Sequence, residues 1–137
     1  MDTLLTIHRV LGEMVLPLLI VLAAIWFTVT WKPGEAASPA ARFLPIVVDI
    51  QVTLGLIYYI YLLVSGNSRM LSFPFILHPL VGIIAAGFGH RAVKGGFFGG
   101  LGRWAPLAWL AILLGLVIVN VMLAMIARAA AAFLRMR

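Results

Sequence analysis

The sequence predicts an all-α membrane protein, with four transmembrane helices in an up-down-up-down bundle and a parallel two-helix repeat inside it. Three observations carry this. Of 137 residues, 64% are hydrophobic and 10% charged, whereas soluble proteins carry about a quarter charged residues. Four stretches reach the roughly 20 mainly apolar residues that a helix needs to cross a bilayer. The pattern His-x-x-x-Gly occurs twice near the start of such a stretch, as Ile7-His8-Arg9-Val10-Leu11-Gly12 and as Leu77-His78-Pro79-Leu80-Val81-Gly82.

The first span is expected from Leu4 to Trp31 and is closed by Trp31-Lys32-Pro33-Gly34. Its apolar run from Val10 to Trp31 is longer than a signal-peptide core and lacks a clear cleavage site, so it reads as a retained anchor. The second span runs from Phe43 to Ser65 and stops at Gly66-Asn67-Ser68. Ser72 with Pro74 suits the start of the third, from Phe73 to Arg91. Pro106 suits the first turn of the fourth, which reaches Arg128. Trp26, Trp31, Trp104 and Trp109 fall near span ends, as an aromatic belt would.

The chain is one domain, residues 1–137, with repeat halves of about 1–66 and 67–137. In each half the His-x-x-x-Gly helix is followed by a helix with Leu-Gly-Leu, in Leu54-Gly55-Leu56-Ile57 and Leu114-Gly115-Leu116-Val117. The offsets are 70 residues for the histidines (78 − 8) and 60 for these glycines (115 − 55), and the longer first loop, Lys32 to Arg42, would absorb the difference. An even number of spans separates the copies, so the repeat would be parallel, with a pseudo-twofold along the membrane normal. The alternative is coincidence of two short motifs.

The net charge of +6 comes from ten Lys and Arg against four Asp and Glu. These cations sit between or beside apolar runs, which points to lipid headgroups rather than nucleic acid as partner. Counting Arg9, Arg69, Arg128, Arg135 and Arg137 against Lys32, Arg42, Arg91, Lys94 and Arg103 gives five on each side, so orientation is undetermined. With no cysteine, disulfides, Cys-ligated clusters and covalent haem attachment are excluded. No Ser/His/Asp set, HExxH motif or paired carboxylates points to a hydrolase, and the chain is not expected to be an enzyme on its own.

Histidine is costly inside a membrane. In an up-down-up-down bundle the first and third helices are diagonal neighbours. His8 and His78, at similar depth, could then ligate one iron from two sides. Gly12 and Gly82, lacking Cβ, would let a porphyrin lie close to each backbone. The competing reading is two separate interfacial histidines. Pro79 either re-aims the His78 imidazole by disrupting a helix bond or only kinks the helix. The four spans, the paired histidines on helices 1 and 3 and the following glycines resemble the small four-helix cytochrome-b-type membrane proteins. That resemblance implies one non-covalent haem b in electron transfer, within a larger respiratory or photosynthetic complex. The larger members often hold a second haem, for which this chain has no fourth histidine.

His90 lies twelve residues after His78, about 120° around the helix, so it faces elsewhere. It is expected to be interfacial, with Asp49 and Gln51 at the same depth. The three could bind a quinone or move protons, although helix-to-helix hydrogen bonding, or Asp49 paired with Arg42 or His90, is the preferred reading. Glu13 is expected to support a ligating imidazole or to pair with Arg69 or another subunit. Arg9 and Arg69 are candidates for haem propionates or lipid phosphates. Tyr58, Tyr59 and Tyr61 read as packing or belt residues. Asn120 reads as a hydrogen bond across the bundle. Lys94-Gly95-Gly96 and the glycines to Gly102 lack Walker order and read as a loop. The rival function is a haem-free accessory subunit of a membrane supercomplex. The expected location is multi-pass in the bacterial cytoplasmic membrane, among other membrane subunits.

Overall fold

The computed structural model describes residues 1–32, 38, 41–73, 75–93 and 96–135. The expected breakers Pro33, Gly34 and Pro74, Lys94 and Gly95 of the glycine-rich loop, and Arg137 of the charge count lie outside them. Every regular element among the described residues is helical: α1 (Asp2–Thr30), α2 (Phe43–Val64), α3 (Leu77–Ala92) and α4 (Ala105–Arg135). Short 3₁₀ segments, Ser68–Leu71 and Gly96–Trp104, precede α3 and α4.

Among the described residues, three segments are long and apolar enough to cross a membrane: Asp2–Thr30, Phe43–Val64 and Gly100–Ala130. The third expected span is shorter than the sequence pattern suggested. At 16 residues, α3 rises about 24 Å, less than the ~30 Å hydrocarbon core. A start at Phe73 would put Pro79 in the helix interior, where it has no N–H for the Phe75 carbonyl, and the helix instead begins at Leu77. Pro79 is therefore in the first helical turn, where its missing N–H has no intrahelical partner to lose, and it has no kink to impose.

Helix α1 is interrupted by a π-helical turn, Leu11–Val15. The N–H of Leu16 bonds the carbonyl of Leu11, five residues back. The cause lies next along the chain. Pro17 has no N–H for the Glu13 carbonyl, and its ring would crowd that carbonyl in a regular helix. The wider turn has a geometric effect. His8 and Ile20, twelve residues apart (20 − 8), would sit about 120° apart on an unbroken helix. One extra residue in the turn reduces this to roughly 20°. His8 thereby joins the face that carries the buried Leu16, Ile20 and Phe27.

α1 packs on α2 and α4, and α3 packs on the same two helices. The pairs α1/α3 and α2/α4 are not among the closely packed ones. The large buried side chains gather at one end, where the later part of α1 and of α3 meets the start of α2 and α4. Ile20, Val48, Pro106, Leu110 and Leu113 are all under 2% exposed there. Trp109 belongs to this packed end. It is buried against Phe88, with ring centroids 5.0 Å apart, and is not a belt residue. Trp26 and Trp104 are about half exposed, as a belt requires, and Trp31 packs against the core.

Candidate functional site

The other end of the helix group encloses a cavity of about 300 Å³. It exists because small residues stand where large ones fill the packed end: Gly12, Gly55, Gly82, Ala85, Ala124 and Ala127 all line it. His8 and His78 lie on its wall. Their ring centroids are 6.0 Å apart and their planes cross at 87°.

Each imidazole is fixed by the helix that follows its own. His8 Nδ1 donates to the backbone carbonyl of Gln51 on α2, at 3.2 Å. His78 Nδ1 donates to the backbone carbonyl of Asn120 on α4, at 3.1 Å. A proton held on Nδ1 leaves Nε2 with the lone pair, which is the arrangement found in metal-ligating histidines. The same two partners send their side chains to the glycines one turn after each histidine. The Gln51 amide occupies the space where a Gly12 Cβ would be, and the Asn120 amide lies 3.6 Å from a Cβ built on Gly82. Gly12 and Gly82 thus receive carboxamides, not an open groove. The carbonyl oxygens Gln51 Oε1 and Asn120 Oδ1 are buried without a hydrogen-bond partner.

Charge gathers at one part of the wall. Glu13 accepts from Arg128 at 2.9 Å and lies 3.5 Å from Arg9, and all three line the cavity. Glu13 therefore serves two guanidiniums rather than an imidazole. Arg69 is exposed and does not line the cavity. It sits on the Ser68–Leu71 segment, whose Met70 faces the cavity and accepts from the Tyr59 hydroxyl at 2.8 Å. The second cation of the site is Arg128, which sequence reasoning placed only near a span end. Tyr58 and Tyr59 line the cavity as well, while Tyr61 is exposed.

His90 stands apart, paired with Asp49 at 2.9 Å on the exposed side of α2 and α3. Gln51 is not with them. Two residues along a helix turn about 200°, so Asp49 and Gln51 face opposite ways, and the expected trio is divided. The Leu-Gly-Leu equivalence also fails. Gly55 has the His8 ring against it, whereas nothing lies within 4 Å of a Cβ built on Gly115. Among the described residues no group of three or more His, Cys, Asp or Glu converges as an all-protein metal site.

The residues fit a bis-imidazole haem on several counts. Two metal–imidazole bonds of about 2 Å each, with roughly 1 Å from each nitrogen to its ring centre, span about 6 Å. The wall is mainly apolar with a few polar groups, as cofactor sites are. Two arginines against one glutamate leave a local excess of one positive charge beside the cavity, which suits a dianionic propionate edge. Comparison of the chain with protein-family models, curated proteins and solved structures found no match.

Proposed function

We propose that this chain is a membrane-embedded b-type haem protein that serves in electron transfer, with one haem held by His8 and His78. The observation that carries the reading is the close pair of imidazoles, each with Nδ1 committed to a backbone carbonyl, at a separation that suits two ligands of one metal ion. When bound, haem supplies a one-electron couple between ferric and ferrous iron. Two histidine ligands leave no open coordination position, which favours electron transfer over oxygen binding. Gln51 and Asn120 fix the imidazole tautomers through their carbonyls. Arg9 and Arg128 would hold propionates in place of the expected pair Arg9 and Arg69.

The proposal includes four antiparallel spans and the internal repeat. The approach of His8 to Gly55 and of Gly12 to Gln51 supports antiparallel α1 and α2, and Asp49 to His90 with Val52 to Gly82 supports the same for α2 and α3. A short α3 can span by local thinning of the bilayer. Three correspondences support the repeat: His8 with His78, Gly12 with Gly82, and Gln51 with Asn120. Each histidine reaches its carbonyl partner over 43 and 42 residues respectively. The position equivalent to Gly55, four after Gln51, is then Ala124, four after Asn120.

Absorption spectra of the purified protein, oxidised and dithionite-reduced, test the function. A sharp reduced α-band is expected. Its absence after expression with haem supplied would sink the reading and favour the haem-free accessory subunit, whose exposed apolar faces would meet other subunits.

A further inference from the structure

We propose that Gly55 is the positioning residue for His8: the absence of a side chain there sets where the imidazole lies and which way its plane faces. A Cβ built on Gly55 would stand 2.7 Å from Cε1 of His8, and 3.3 Å from both ring nitrogens. Carbon atoms of side chains do not pack so close, so a methyl group must displace the ring. Cε1 lies between the two nitrogens. Pushing it shifts the Nδ1 bond to the Gln51 carbonyl and moves Nε2 together with it.

The ring can give way only toward the cavity that it lines, which takes it from its present seat. It is tied to the Gln51 carbonyl one turn before Gly55 on the same helix, and it stands edge-on to His78 at 87°. Gly55 would therefore act on a ligand through the imidazole that it seats. In the second half of the chain the corresponding position is Ala124, which also lines the cavity. The contact between Gly55 and His8 stands on the geometry alone, and its consequence for a ligand rests on the haem reading above.

The test uses the whole chain in lipid nanodiscs with ¹⁵N-labelled histidine. Wild type is expected to show His8 and His78 as the Nδ1–H tautomer. Gly55→Ala should disturb the His8 tautomer and leave His78 unchanged. Gly115→Ala, where nothing lies within 4 Å of the new Cβ, should change neither. In haem-loaded protein, imidazole planes near 90° give a highly anisotropic low-spin ferric EPR signal, and Gly55→Ala should move it toward a rhombic or high-spin form. A double-mutant cycle covers the case of a poorly folding variant. Gly55→Ala should lower the Tm when His8 is present and raise it in the His8→Ala background, as Gly→Ala does in an unobstructed helix. An unchanged His8 tautomer with an unchanged EPR signal, or equal Tm shifts in both backgrounds, would overturn the inference. If wild type takes up no haem while the His8 tautomer still responds to Gly55→Ala, the haem reading fails and the inference stands.

Discussion

At the scale of single residues, the cost of burying a polar group explains both what the sequence revealed and what it concealed. His8 and His78 were legible because an imidazole within an apolar stretch needs a partner. The grouping of Gln51 with Asp49 and His90 rested on depth along the span alone, although two residues turn a helix by about 200° and set Gln51 opposite Asp49. Arg128 was missed because its partner Glu13 is 115 residues away in sequence. His8→Ala and His78→Ala are each expected to abolish the low-spin spectrum, and His90→Ala should leave it intact. Full haem content with an unchanged α-band in both ligand variants would show the ligands to be elsewhere. Gly12→Leu should lower haem retention more than Gly82→Leu. At Gly12 the Gln51 amide already fills the space of a Cβ, while at Gly82 the nearest atom is at 3.6 Å. Equal haem retention in the two variants would separate neither glycine from ordinary helix packing.

At the scale of elements, α2 and α4 agree with the hydropathy pattern, and the exceptions have local causes. The short α3 follows from Pro79, which a helix tolerates only in its first turn. The π turn in α1 was not legible because apolar spacing alone does not distinguish a wide turn from a regular one. Its role can be tested by length. Deleting Met14, which is 69% exposed within the turn, together with Pro17→Ala, which removes the cause of the wide turn, should restore a regular helix and keep His8 on the cavity face. Deleting Leu18, in the regular part, should turn everything N-terminal to it by about 100° and carry His8 out of the cavity. Haem retention in the first deletion and its loss in the second, with helical circular dichroism preserved in both, is the expected result. Haem loss in the Met14 deletion would show that the turn itself is required.

At the scale of the whole molecule, the helical class and membrane character follow from composition, but the count of spans does not. Four spans would set five cations on each side and give orientation no bias, and α3 is too short to be counted by length. The chain has no cysteine, so single cysteines introduced at Ser38, Ser68 and Arg103 can be labelled without background. With four spans, a membrane-impermeant maleimide should reach Ser68→Cys from one side, and Ser38→Cys and Arg103→Cys from the other. Labelling of Ser68→Cys and Arg103→Cys from the same side would show that α3 does not cross.

The contrast between a tightly filled end and a small-residue end makes this protein a tweezer. Ile20, Leu110 and Leu113 form the grip, and the arms are the first turns of α1 and α3 with the last turns of α2 and α4. From Ile20 to His8 an arm measures about 18 Å along the helix. A tilt of only ~10° at the grip would part its tip by about 3 Å, so a flat ligand could enter between the arms without breaking a helix. Loading and folding would then be separable events. Hydrogen exchange should slow on haem addition for amides around His8 and Asn120 and stay constant around Ile20 and Leu113. Slowing throughout the chain would mean that the grip forms only when the arms are closed.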